Sequence, residues 1–213
     1  MLTSNAWSLA LLTDLYQITM AYGYFKSGLA DREGCFHLTF RKSPFGSGYS
    51  VAAGLGYVIE FLRDLRFCDD DLQYLASLRA NDQQPLFDRP FLDFLKNMRF
   101  TVDVHAIPEG TVVFPNEPLL RVSGPLLQCQ LIETPLLNMI NFQTLIATKS
   151  ARICQAAQGE PVMSLDCAGR RGLMGRWRRA APATSAGAWA HPTCWRASSF
   201  TSRSWARTRT AGS

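Results

Sequence analysis

The chain has 213 residues, 47% hydrophobic and 18% charged, a balance that excludes a disordered or collagen-like polymer and allows one large or two small globular domains. Its formal charge of +5 is unevenly placed: residues 1–163 carry 13 basic and 16 acidic residues, a net of −3, whereas residues 164–213 carry nine Arg, no Lys and one acid, a net of +8. The basic balance therefore argues for no acidic partner of the first 163 residues.

Residues 1–10 lack a basic segment ahead of their apolar residues, and no run approaches the roughly 18 apolar residues of a membrane span. A soluble, cytoplasmic protein is the expectation. The six cysteines, Cys35, Cys68, Cys129, Cys154, Cys167 and Cys194, form no Cys-x-x-Cys pair or Cys/His knuckle, which favours buried or free thiols over a metal site.

In chain order, Thr13 or Asp14 can cap a helix running to about Lys26, with Leu15, Ile18, Thr19 and Tyr22 on one face. Residues 34–41 alternate and predict a strand, followed by a turn over 43–48. Helices are expected at 55–65 and 70–78, with Asp69-Asp70-Asp71 placed favourably for the helix dipole rather than as a metal site, and a further helix at 90–98. Residues 101–106, 111–114 and 119–122 are short strands of a small antiparallel cluster, separated by the turn sequences Pro108-Glu109-Gly110 and Pro115-Asn116-Glu117-Pro118. From Leu126 to Gln158 runs a long helical stretch that Pro135 should kink or divide and Gly159 should close. Pro161-Val162-Met163 begins another strand. This order predicts an α+β N-terminal domain over 1–125, then, over 126–163, a long helix and the start of a truncated α/β barrel. Residues 164–213 hold four of the five tryptophans, ten alanines and no Val, Ile, Tyr, Glu, Asn or Gln. They show no helical or strand period, and no credible fold is expected there.

No phosphate-cradling glycine loop, His-Glu-x-x-His helix or Gly-x-Ser-x-Gly elbow is present. His37 and His105 sit singly in strands, where a structural role is the expectation. Two segments are more informative. Leu12-Thr13-Asp14-Leu15-Tyr16-Gln17-Ile18-Thr19-Met20-Ala21-Tyr22-Gly23-Tyr24 puts Asp14 and Tyr16 at a helix start. Phe40-Arg41-Lys42-x-Pro44-Phe45-Gly46 sets two cations beside a glycine turn, an arrangement suited to phosphate. Each also has a plain reading, as a capped helix with aromatic core residues and as a solvated strand end.

Those two segments, with Pro108-Glu109-Gly110, Phe114-Pro115, Glu117-Pro118-Leu119-Leu120-Arg121-Val122-Ser123-Gly124-Pro125 and Glu133-Thr134-Pro135-Leu136-Leu137, resemble the nicotinate phosphoribosyltransferases from about Leu11 to Met163. The resemblance implies ATP-assisted condensation of nicotinate with phosphoribosyl pyrophosphate to nicotinate mononucleotide in NAD synthesis, with Mg²⁺ accompanying the phosphates. It further implies a homodimer in which Tyr16 stacks on the pyridine ring in the partner subunit's site. Asp14 would help orient the base, and Arg41 and Lys42 would lie near the ribose phosphates. No nucleic-acid or membrane partner is expected.

The resemblance stops at Met163, where the family continues Glu-Phe-Gly-Leu-Arg-Arg-Ala-Gln-Gly. Back-translating residues 164–171 and reading one register along returns Phe-Gly-Leu-Arg-Arg-Ala-Gln, and residues 192–210 return a segment ending Gly-Thr-His-Ala-His. The expectation is a lost nucleotide near codon 164, an out-of-frame tail and impaired activity. Loss of most of a barrel would leave apolar faces of the long helix uncovered, favouring aggregation. Two alternatives are a nicotinamide or quinolinate phosphoribosyltransferase fragment, and a non-enzymatic protein whose Arg/Trp tail binds nucleic acid or a membrane.

Overall fold

The computed structural model describes residues 9–46, 48–158, 160, 162 and 206–209. Apart from 206–209, the expectation for the basic tail lies outside the described residues, as does that for a strand at 161–163 except at residue 162, which is in no regular element. The elements run α1 (Leu15–Lys26), β1 (Glu33–Leu38), a short 3-10 turn (Pro44–Gly46), β2 (Ser50–Val51), α2 (Leu55–Asp64), α3 (Asp69–Ser77), α4 (Arg89–Asn97), β3 (Asp103–Ala106), β4 (Val112–Val113), β5 (Leu120–Pro125), α5 (Leu126–Ala156) and β6 (Ala206–Arg209).

The main sheet is antiparallel in the order β1-β5-β3-β6, with Cys35 opposite Ser123 and Val122 opposite Val104. The backbone of β6 pairs with the outer edge of β3, so this short part of the tail does adopt regular structure. The expected three-strand cluster is divided: β3 and β5 pair with each other, but β4 leaves them and pairs with β2. Two turn contacts explain that departure, since Gly110 N–H donates to the Ala52 carbonyl at 2.8 Å and Ala52 N–H to that of Thr111 at 2.9 Å. β1 stops at Leu38, short of Arg41. The chain then follows a loop whose Phe40 carbonyl accepts from Asn116 N–H at 2.8 Å.

α5 is the spine of the fold. On one side, Ile132, Leu136, Met139 and Ile140 meet Leu38, Val104 and Val122 of the main sheet together with Val58 and Phe61 of α2. On the other, Leu127 and Leu131 join Ile18 and Ala21 of α1, Leu75 of α3 and Phe91 and Leu95 of α4. Burying an aliphatic or aromatic side chain of this size contributes about 1.5–3 kcal/mol, so two cores sharing one helix fix its position strongly. That anchorage explains why α5 continues as a single helix through Pro135 rather than dividing there. The proline removes one backbone donor, but it is itself buried, and Leu131, Ile132 and Leu136 around it are held in the two cores. The helix ends at Ala156, and Gln158, at φ 49°, takes the left-handed conformation that was expected of Gly159.

α4 follows its sequence signals closely. Asp88 is the N-cap and accepts from Phe91 N–H at 3.0 Å, and Pro90 occupies the first turn where its missing donor costs nothing. In α3 a cysteine stands in for the usual hydroxyl cap. Cys68 N–H donates to Asp71 Oδ2 at 2.9 Å, and the Cys68 thiol donates to the same oxygen at 3.0 Å.

Candidate active site

Asp14 is the N-cap residue of α1, yet its side chain makes no capping bond. Its Oδ2 instead accepts from Thr134 Oγ1 of α5 at 3.0 Å, and the Thr13 hydroxyl is buried without a partner. The helix therefore starts where the sequence predicts but without side-chain capping. Its burial is also displaced: Ile18 and Ala21 face the core with Gln17, which is 0% exposed, while Leu15 is 50% exposed. Tyr22 keeps its expected inward place, edge-on to Phe87 at 5.6 Å between ring centroids.

Tyr16 lies on the outer side of α1 with half its surface exposed. Gln17 Nε2 donates to its phenolic oxygen at 2.7 Å and to Thr134 Oγ1 at 3.3 Å. Gln130 Nε2 donates to Gln17 Oε1 and, at 3.2 Å, to Glu133 Oε2. Asp14, Tyr16, Gln17, Gln130, Glu133 and Thr134 thus form one hydrogen-bonded chain between the start of α1 and the Pro135 turn of α5. Partial desolvation, then the charges of Glu133 and Asp14, hold the Tyr16 phenol above the usual tyrosine range. At neutral pH it is a protonated ring with an open π face.

Arg41 and Lys42 are exposed and enter no ion pair among the described residues. They sit on a bend beyond β1 rather than on the strand itself. Phe45, at φ 60°, and Gly46, at φ 62°, turn the loop back, and Arg152 Nη1 clamps it by donating to the Phe45 carbonyl at 3.0 Å. Tyr49 adds a hydroxyl contact to Gln155 Oε1 at 3.4 Å.

Both groups rest on α5, but at different heights. The tyrosine group meets it at Gln130–Thr134 and the cation loop at Arg152–Gln155. At 1.5 Å per residue, Thr134 and Arg152 are roughly 27 Å apart along the axis. The two groups are therefore anchored on different stretches of α5. His37 and His105 flank Arg121 in one cross-strand row of the main sheet. Among the described residues no cluster of three or more His, Cys, Asp or Glu could hold a metal ion, and no helix is long and apolar enough to cross a membrane.

Of this arrangement, Gln130 and Arg152 carry no signal in the sequence. Gln17 lies within the Leu12–Tyr24 segment that carries the resemblance, but nothing local marks it as buried, because its partner Gln130 lies 113 residues away. Glu133 and Thr134 belong to the Glu133-Thr134-Pro135-Leu136-Leu137 segment of the resemblance, but that segment does not say which residues they touch.

The fold is a mixed α/β domain similar to the N-terminal region of phosphoribosyltransferases that act on nicotinate. Residues 11–141 match the model of the nicotinate phosphoribosyltransferase (NAPRTase) N-terminal domain, and the chain belongs to that family. Over 154 residues it is 46% identical to nicotinate phosphoribosyltransferase pncB2 of Mycobacterium tuberculosis, covering 72% of this chain and 32% of that protein. Over 144 residues it is 48% identical to nicotinate phosphoribosyltransferase of Bos taurus, covering 67% and 26%. The crystal structure of human nicotinic acid phosphoribosyltransferase superposes with a TM-score of 0.63 at 45% identity, over 72% of this chain and 30% of that one. The nicotinate-nucleotide pyrophosphorylase structure from Pyrococcus furiosus, at 21% identity and a TM-score of 0.53, shares the fold. The chain spans about a third or less of the length of these relatives.

Proposed function

We propose that this chain is the N-terminal part of a nicotinate phosphoribosyltransferase that joins nicotinate to phosphoribosyl pyrophosphate with assistance from ATP. The ring nitrogen of nicotinate bonds to the anomeric carbon as the C–O bond to pyrophosphate breaks, and the electron pair leaves with pyrophosphate. The observation that carries the reading is that the two groups are anchored on different stretches of α5: Thr134, which contacts Asp14 and Gln17, and Arg152, which clamps the loop after Arg41 and Lys42, are roughly 27 Å apart along the helix axis. A ring-stacking tyrosine and a phosphate-binding cation pair anchored so far apart serve one reaction centre if two copies of the chain exchange them, as in a twofold homodimer.

In that arrangement Tyr16 offers its π face to the flat pyridine of nicotinate in the partner's site, with Asp14 beside it. Arg41 and Lys42 offset negative charge on the phosphates, where charge builds as pyrophosphate departs. Among the described residues no carboxylate cluster would hold the Mg²⁺ that accompanies the phosphates. Leu145 at 40% exposure and Ile153 at 44% on the open side of α5 support the reading that this helix abuts further chain of a barrel. The family-like Phe-Gly-Leu-Arg-Arg-Ala-Gln that residues 164–171 return one register along supports the reading that residues 164–213 replace that chain through a lost nucleotide near codon 164. Impaired activity of the 213-residue chain follows from that reading.

Two experiments test these points. Sequencing the DNA around codon 164 shows either the lost base or an intact frame, and an intact frame overturns the tail assignment. In the frame-restored protein, Tyr16→Ala and Arg41→Ala should each abolish synthesis of nicotinate mononucleotide. Mixing and reassociating the two variants should recover roughly a quarter of the activity, because half the dimers would be mixed and each would hold one intact site. No recovery would place both residues in the same chain's site.

A further inference from the structure

The hydrogen-bonded chain between α1 and α5 has a direction that follows from counting donors. Gln17 Nε2 uses its two hydrogens on Tyr16 Oη and Thr134 Oγ1, and its Oε1 accepts from Gln130 Nε2. Gln130 Nε2 spends its second hydrogen on Glu133 Oε2, and Thr134 spends its only hydroxyl hydrogen on Asp14 Oδ2. Turning Gln17 alone would set its Nε2 against Gln130 Nε2, and turning Gln130, alone or together with Gln17, would set its Oε1 against the Glu133 carboxylate, so the network itself assigns both amides. Gln17 is 0% exposed and Gln130 4%. Burying two amides is tolerable only when they are satisfied, and here they hold each other while reaching outward to a single exposed ring.

We propose that Gln17 is a positioning residue for the nicotinate reaction: braced by Gln130 and Thr134, it fixes the Tyr16 hydroxyl and so sets the plane of the ring that stacks on the base. This deepens the functional reading given above and rests on it. An exposed tyrosine on a helix start would otherwise sample several rotamers, and stacking would have to order it at each binding event. Because the Tyr16 oxygen accepts from Gln17, its own proton stays available, and the ring is pinned without being turned into an anion. Gln17 touches neither substrate nor the reacting atoms; it acts through Tyr16.

A double-mutant comparison in the frame-restored enzyme separates positioning from mere support of the fold. Gln17→Met keeps the length of the side chain and removes the donor. Expected is a rise of about fivefold in KM for nicotinate, the effect of one lost hydrogen bond, with KM for phosphoribosyl pyrophosphate unchanged. In a Tyr16→Phe background, which already lacks the hydroxyl, Gln17→Met should add nothing. An equal rise in both backgrounds would overturn the proposal, since Gln17 would then act through packing alone. Tyr16→Ala is the control on the underlying reading: if it leaves synthesis of nicotinate mononucleotide intact, Tyr16 is not at the base site and that reading fails instead. A second readout needs no turnover. In the 213-residue chain labelled at tyrosine Cζ, with the Tyr16 resonance assigned by its loss in Tyr16→Phe, Gln17→Met should move Tyr16 titration upward, because a donor that favours the phenolate is removed. Unchanged titration in a folded variant would also overturn the proposal.

Discussion

Thr134 Oγ1 donates to Asp14 Oδ2 at 3.0 Å across 120 residues of sequence, so a side chain placed to cap its own helix instead fastens that helix to another. The same hydroxyl oxygen accepts from Gln17 Nε2. Thr134→Val removes both bonds at nearly constant volume and strands the buried Gln17 donor. The expected cost is about 1–3 kcal/mol, read as a lower urea midpoint with an unchanged denaturant slope. Thr134→Ser, which keeps the hydroxyl, should recover most of it.

The acid limb of stability follows from two carboxylates on the opposite face. A hydrogen bond from Lys26, 2.9 Å away, is the largest cause holding the Asp88 carboxyl below the usual range, with the Phe91 N–H contributing. Lys96, at 2.7 Å, does the same for Asp69. Groups depressed in the folded state stabilise it fully above the unfolded value of about 3.9, and the contribution is lost as pH falls through the folded pKa. Lys26 is raised by the same Asp88 contact, so its part is complete below about pH 10.4 and disappears as pH climbs through the folded value. Urea midpoints measured from pH 6 down to pH 2 should fall, and Asp88→Asn should flatten that fall. Because the pairs are exposed, added salt should weaken the effect.

Much of α4 could be read from Asp88, Pro90 and the apolar spacing of Phe91, Leu92 and Leu95, because every signal there is local. The site residues Asp14 and Tyr16 were legible as a helix start, yet the side that the helix buries was not. Leu15 belongs by hydropathy inside and Gln17 outside, and the reverse holds because Gln130 of α5 meets Gln17. β4 offers the same lesson for sheets. Residues 111–114 and 119–122 are neighbours in sequence with matching alternation, but Ala52 captures the Gly110–Thr111 turn that leads into the first of them and carries β4 to β2. Long-range polar partners decide such cases, and local propensity contains no information about them.

The thiols should react in an order set by burial. Cys129, 1% exposed, is pushed up to about 11, chiefly by desolvation. The Cys68 thiol is also raised, first by burial and then by its hydrogen bond to Asp71. Cys35 is exposed on β1. The thiolate is the reacting species, so brief iodoacetamide treatment at pH 8 followed by peptide mass spectrometry should find Cys35 modified well before Cys68. Cys129 should label only after denaturant is added. Early labelling of Cys129 in buffer would mean that the α5 core opens far more readily than its packing implies.

Gly54 is the backbone position with least freedom to change. It caps α2 at φ 109°, a conformation costly for any L side chain. A Cβ there would come within 2.8 Å of the Met139 carbonyl and 3.2 Å of the Ile140 Cα on α5. Its N–H also donates to Glu109 Oε1 at 2.9 Å, and Gly56 N–H reaches the same oxygen at 3.2 Å. Glu109 thereby supplies the carboxylate that the start of α2 lacks in its own sequence. Gly54→Ala should destabilise by about 2 kcal/mol or more, combining positive-φ strain with the clash against α5. Glu109→Gln, which keeps an acceptor without the charge, should cost about 1 kcal/mol or less. Thermal denaturation of the two variants checks the ranking, and a Gly54→Ala chain as stable as wild type would show that α2 is able to move away from α5.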